Sequence, residues 1–141
     1  MARDASGTAG SVGDWMSKPP VSVAEDTPIR VAMAQMEGAE VRHLLVMDGP
    51  ILTGILSNRD LRRVATRDGG SPLLSEPVRS IMSEGPVSVA PETLMVTAAR
   101  LLLEQRIGAL PVRDGDRIVG IFTVADALEA LLAMVEGPVH E

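Results

Sequence analysis

Met16-Ser17-Lys18-Pro19-Pro20-Val21-Ser22-Val23-Ala24 returns 66 residues downstream as Met82-Ser83-Glu84-Gly85-Pro86-Val87-Ser88-Val89-Ala90. Working outward, the same ungapped offset lays residues 12–61 on 78–127. Thr27, Ala32, Val46, Asp48-Gly49, Gly54-Ile55 and Asp60 recur as Thr93, Ala98, Val112, Asp114-Gly115, Gly120-Ile121 and Asp126. The period is too long for a solenoid unit and two copies are too few for an array, so the pattern predicts two small pseudo-symmetric subdomains packed together. Function is then expected in a cleft between the copies.

A chain of 141 residues is about one domain in size, with one core shared by the copies. Trp15 and Phe122 are its only aromatic residues, so aliphatic side chains and Met must fill that core. No cysteine is present, which excludes disulfides and thiolate metal sites. With 13 basic and 19 acidic residues the net charge is −6, against the clustered cations that nucleic acid requires. No apolar run approaches the roughly 20 residues that span a bilayer, and residues 1–11 lack the apolar segment of a secretion signal. These features predict a cytoplasmic protein with a flexible leader over residues 1–11.

Each copy opens with a short segment, Val12-Gly13-Asp14-Trp15-Met16 or Val78-Arg79-Ser80-Ile81-Met82, followed by an alternating strand, Val21-Ser22-Val23 or Val87-Ser88-Val89. Asp26-Thr27 and Glu92-Thr93 are cap-type residues placed before helical patterns. Ile29, Ala32, Met33 and Met36 form one amphipathic stripe, and Met95, Ala98, Ala99 and Leu102 repeat it. Apolar runs flank Asp48-Gly49-Pro50 and Asp114-Gly115-Asp116, a hairpin signal that Pro50 makes less ideal in the first copy. Closing helices are predicted from about residue 58 to 67 and from about 124 to 135, with Gly137-Pro138 ending the second. The fold class is α/β (α+β), the order β-α-β-β-α being written twice. The predicted boundaries are repeat 1 at 12–68, a linker at 69–77 around Gly69-Gly70-Ser71-Pro72, repeat 2 at 78–136 and a tail at 137–141.

Two fragments of each copy carry a family resemblance. They are Val41-Arg42-His43-Leu44-Leu45-Val46-Met47-Asp48 with Gly54-Ile55-Leu56-Ser57-Asn58-Arg59-Asp60-Leu61, and Ile107-Gly108-Ala109-Leu110-Pro111-Val112-Arg113-Asp114 with Gly120-Ile121-Phe122-Thr123-Val124-Ala125-Asp126. Over about residues 12–135 the chain resembles a tandem pair of cystathionine-beta-synthase-type (CBS) domains, the regulatory unit also called a Bateman module. The resemblance implies two repeats packed sheet to sheet. It also implies a module without chemistry of its own that binds AMP, ADP, ATP or S-adenosylmethionine in two clefts between the copies and tunes a partner protein.

The residues supply a physical logic for such a ligand. Ser57 and Asp60, like Thr123 and Asp126, place a hydroxyl at a strand end three residues before a carboxylate in the first helical turn. A carboxylate accepts from both hydroxyls of a ribose, and the adjoining helix N-terminus favours a phosphate. Taken singly, a hydroxyl followed three residues later by Asp is most often a plain helix cap. By resemblance, each site mixes repeats: Ser57, Arg59, Asp60 and His43 join Ile107 and Gly108 in one, and Thr123 and Asp126 join Val41 and Arg42 in the other. Val41 and Ile107 would sandwich a purine, or else serve as ordinary core residues.

His43 and Arg59 stand beside the first carboxylate, whereas Ala109 and Ala125 stand beside the second, so the Ser57–Asp60 site is the expected tighter phosphate binder. His43 also reads as a half-buried strand residue. Leu45 replaces the proline found at Pro111, and Arg42 replaces the small Gly108, which puts a long side chain at the mouth of the second site. His43 and His140 have no ligand spacing, so no metal is expected. No catalytic residues are expected either, for the chain lacks a Cys nucleophile, a His–carboxylate cluster and a P-loop.

Arg59, Arg62, Arg63 and Arg67 make one basic face on the first closing helix, or a merely solvated one. The second closing helix carries Asp126, Glu129 and Glu136 with an apolar stripe of Leu128, Leu131, Leu132 and Val135. The resemblance implies a homodimer through the helices, and the charge asymmetry favours an antiparallel one. A ligand-free dimerisation or adaptor module is the alternative function.

Overall fold

The computed structural model of the chain describes residues 10–66 and 71–137. Arg67, Gly69, Gly70, Pro138 and His140, with most of the predicted leader and tail, lie outside the described residues. In chain order the elements are α1 (Val12–Trp15), β1 (Ser22–Ala24), α2 (Ile29–Ala39), β2 (His43–Asp48), β3 (Ile51–Ser57) and α3 (Asn58–Thr66). Then come β4 (Ser83–Glu84), α4 (Met95–Gln105), β5 (Ala109–Asp114), β6 (Arg117–Thr123) and α5 (Val124–Glu136). Short 3-10 turns at Ser71–Ser75 and Val78–Ser80 precede β4.

The apolar stripes and runs legible in the sequence become two separate cores. Ile29, Ala32 and Met36 of α2 pack with Leu44, Val46 and Leu56 of the β2–β3 hairpin and with Leu61 and Val64 of α3. The second core repeats this set with Met95, Ala98 and Leu102, Leu110 and Val112, Phe122 and Ala130. Full burial of side chains such as Leu44, Leu56 and Phe122 stabilises by about 1.5–3 kcal/mol each.

The compact units are cut differently from the repeats. One is contiguous, residues 20–86, and the other is split, residues 1–19 with 87–141. The opening segment of each repeat therefore packs in the unit of the other copy. Val12, with Trp15 and Met16 against it, belongs to the core of α4 and α5, and Val78, with Ile81 and Met82, belongs to the core of α2 and α3.

In the contiguous unit the sheet order is β1-β2-β3-β4, with β1 parallel to β2 and the other pairs antiparallel. The split unit keeps the same plan with thinner edges. Its β5–β6 hairpin is flanked by single bridges, Val89 to Val112 and Ser17 to Ile121. The strand predicted at Val87-Ser88-Val89 is thus reduced to one bridge. In the first copy the Glu25 N–H extends the ladder to the Met47 carbonyl at 3.1 Å, whereas its counterpart is Pro91, which has no N–H to give.

Both hairpins close with two-residue loops whose first residue has positive φ, Gly49 at +61° and Gly115 at +65°. Pro50 is accommodated as the second loop residue. Asp26-Thr27 and Glu92-Thr93 do not cap α2 and α4. The N-cap positions are Pro28 and Leu94, and the first helical N–H groups go instead to carbonyls of the incoming segments, Ile29 to Glu76 at 2.9 Å and Met95 to Gly10 at 2.9 Å. Thr93 serves the preceding turn, its hydroxyl accepting from the Ala90 N–H at 3.0 Å.

Candidate functional site

Each hairpin ends in a strand that runs without a loop into the closing helix, and the predicted hydroxyl–carboxylate pairs sit at that corner. In the contiguous unit Ser57 ends β3 and Asp60 lies in the first turn of α3. The Ser57 N–H donates to Asp60 Oδ2 at 3.1 Å, and the Asp60 N–H donates to Ser57 Oγ at 3.1 Å. This reciprocal capping box is worth about 1 kcal/mol to the helix start. The Asn58 N–H is held by the Arg42 carbonyl at 2.8 Å, which fixes the corner to the lead-in of β2.

The split unit builds the same corner from Thr123 and Asp126. The Thr123 N–H donates to Asp126 Oδ2 at 2.8 Å, and the Asp126 N–H donates to Thr123 Oγ1 at 3.2 Å. The Val124 N–H meets the Gly108 carbonyl at 3.1 Å. Capping and ligand binding are not exclusive here, because the box uses one carboxylate oxygen. At Asp60, no group among the described residues donates to Oδ1, so that oxygen keeps its lone pairs for an outside donor.

His43 opens β2 directly opposite Ser57 in the antiparallel register, which places both side chains on one face of the sheet. Burial is the main cause that pulls its pKa below the ordinary 6.5, and the Arg42 charge pulls the same way, while the Asp60 carboxylate opposes them. The imidazole is consequently neutral at pH 7. Arg42 and Arg59 are exposed at the edge of this corner.

Val41 and Ile107 occupy equivalent places between helix and strand, each half-buried against its own core. The Val41 N–H goes to Met36 and the Ile107 N–H to Leu102, and the carbonyls of Arg42 and Gly108 hold the closing helices. Among the described residues, the carbonyls of Val41 and Ile107 and the N–H groups of Arg42 and Gly108 make no backbone hydrogen bond. An adenine edge presents one donor and one acceptor, the complement of such a pair.

The residues assigned to the two sites divide as follows. Val41, Arg42, His43, Ser57, Arg59 and Asp60 belong to the contiguous unit, and Ile107, Gly108, Thr123 and Asp126 to the split one. Within the units, His43, Ser57 and Asp60 converge, and Thr123 and Asp126 converge. Ala109 is buried where the first copy has His43.

Ser17 was missed by the sequence reading. Its hydroxyl donates to Asp126, at 3.1 Å from Oδ1 and 3.4 Å from Oδ2. The recurrence of Met-Ser at the 66-residue offset was the available signal, since a repeated polar residue beside a repeated carboxylate invites the pairing. Asp126 is also a correction to the charge reading. It is only 6% exposed, so the acidic face expected on α5 keeps Glu129 and Glu136 alone. A polar pocket lies at the far end of β2 from His43, between Glu25, Asp26, Asp48 and Arg79, and includes none of the predicted site residues. Among the described residues no group of three or more His, Asp or Glu is placed to hold a metal.

The CBS-domain family model matches the chain twice, at residues 12–67 and 78–133. The chain belongs to the CBS-domain family. A CBS domain-containing protein of Dictyostelium discoideum is 33% identical over 139 residues, covering 89% of this chain and 93% of that protein. A CBS-domain protein of Agrobacterium tumefaciens shares the fold, with a TM-score of 0.79 at 22% identity over 86% of this chain and 98% of that one. CBSX2 of Arabidopsis thaliana, solved in complex with AMP, superposes with a TM-score of 0.76 at 29% identity over 89% of this chain and 98% of its own. CBS pairs of this kind are regulatory modules, and members of the family bind adenosine-containing ligands.

Proposed function

We propose that this protein is a cytoplasmic sensor that binds an adenosine-containing ligand, AMP, ADP, ATP or S-adenosylmethionine, and modulates a partner protein without catalysing a reaction. The observation that carries the reading is the Asp60 corner, where a carboxylate oxygen is uncommitted beside the Ser57 hydroxyl and across from His43. The ribose diol donates to Asp60, and the phosphate meets the Arg59 N–H at the positive end of α3. Arg59 adds cationic charge there, beside the neutral His43 imidazole. Support also comes from CBSX2, whose complex with AMP places such a ligand in a relative of the same fold. A ligand that binds one arrangement of the module better shifts the population toward it, which is the signal passed on.

Titration calorimetry with AMP, ADP, ATP, S-adenosylmethionine and GTP tests this. Micromolar binding of one adenosine ligand is expected, weakened at least tenfold in Asp60→Ala. Absence of heat with every ligand, from a folded sample, would favour the ligand-free adaptor.

A homodimer is the second part of the proposal. Leu128, Leu131, Leu132 and Val135 of α5 are 53%, 48%, 53% and 75% exposed, an apolar stripe along one helix face. Exposed Arg59, Arg62 and Arg63 on α3 and exposed Glu129 and Glu136 on α5 make an antiparallel pairing of two copies electrostatically favourable. Light scattering coupled to size exclusion should give twice the chain mass for the native protein and the single chain mass for Leu131→Glu. A native monomer at micromolar concentration would sink it.

A further inference from the structure

The two carboxylates occupy equivalent corners, yet the two equivalent serines treat them differently. The backbone frame is shared, for Ser17 pairs with Ile121 as Ser83 pairs with Ile55. In the split unit the Ser17 hydroxyl donates to Asp126, and Asp126 Oδ2 also accepts from the Thr123 N–H at 2.8 Å and from Thr123 Oγ1 at 3.1 Å. A carboxylate offers about four acceptor positions, and here both oxygens are engaged from within the unit. In the contiguous unit Asp60 is half-buried, and among the described residues no side-chain hydroxyl donates to it. His43 faces that carboxylate, where the split unit has buried Ala109.

We propose that Ser17 silences the Asp126 corner, so that the chain takes one nucleoside ligand, at Asp60, although its two repeats would suggest two. The inference rests on reading Asp60 as the ribose-binding carboxylate. A ribose diol arriving at Asp126 has to displace a hydroxyl that is already in place on a fixed backbone. Ser17 is held by reciprocal backbone bonds with Ile121, 2.8 and 3.0 Å long, and the segment before it is pinned by Val12 to Thr93 and Gly13 to Pro91. An intramolecular donor held in position acts at an effective concentration far above that of a free metabolite. Truncating Ser17 to Ala removes the donor and leaves those backbone bonds and the Met16 packing intact.

The experiment is calorimetric titration of the full chain with AMP, comparing wild type, Ser17→Ala, Ser17→Thr, Asp60→Ala and Ser17→Ala/Asp60→Ala. The stoichiometry expected per chain is one for wild type, two for Ser17→Ala, one for Ser17→Thr, none for Asp60→Ala and one for the double variant. Two sites in wild type overturn the proposal. A single site in a Ser17→Ala protein that melts like wild type also overturns it, and in both cases the Asp60 reading survives. Failure of all five proteins to bind AMP overturns the Asp60 reading and the Ser17 proposal with it. If wild type is silent and Ser17→Ala binds once, Asp60 is the wrong carboxylate while Ser17 keeps its role.

Discussion

His43 has no titratable counterpart in the second copy, where Ala109 is buried in its place. Its folded pKa lies below its ordinary value, so between the two values the unfolded chain binds more protons than the native one. Stability from this group is complete above the ordinary value of 6.5 and is lost as pH falls toward the lower folded value. Urea midpoints measured from pH 7.5 down to pH 5 should therefore fall in wild type and fall less steeply in His43→Asn. A bound phosphate changes the balance, for an anion beside the ring favours its protonated form and draws a proton in with the ligand. The residue-level pairing of Ser57 with Asp60 and of Thr123 with Asp126 was legible in the sequence, because a capping box spans only three residues. The bond from Ser17 to Asp126 bridges 109 positions, and no local pattern announces it.

Among the elements, the hairpins and helices were read nearly to their ends because each rests on a periodicity confined to a dozen residues. The edges of the sheets were not. Whether Val89 extends into a strand depends on Pro91, one residue that cannot donate, and the start of α2 depends on a carbonyl at Glu76. Gly54 and Gly120 show how tightly the opening segments are fitted. They follow a bulge that recurs in both hairpins, at Val46/Met47 and Val112/Arg113 of the facing strands. A Cβ on Gly54 would stand 2.8 Å from Met82 Cγ and 3.0 Å from the Ser83 carbonyl, and one on Gly120 would stand 2.7 Å from Met16 Sδ and 3.0 Å from the Ser17 carbonyl. Gly120→Ala should push the Met16–Ser17 segment off β6 and lower stability by about 1–3 kcal/mol. Hydrogen exchange at the Ser17 and Ile121 amides, faster in the variant than in wild type, would check the mechanism.

For the whole molecule, the repeat was plain in the sequence but the exchange of opening segments was not. A pattern repeated at constant offset looks the same whether Val12 packs on its own copy or on the other. Only the three-dimensional cores decide it, and they assign Val12 to α4 and α5 and Val78 to α2 and α3. Residues 20–86 hold a complete set of core side chains, whereas residues 12–66 lack Val78, Ile81 and Met82 and carry Val12 and Trp15 with nothing to cover them. A 20–86 fragment should melt cooperatively by circular dichroism, and a 12–66 fragment should not. The same exchange bears on how such a chain can err during synthesis. A copy released with its first clasp still unseated offers its neighbour a ready substitute, so crowded nascent chains have a built-in route to intertwined assemblies, and closing each unit from within is a race against concentration.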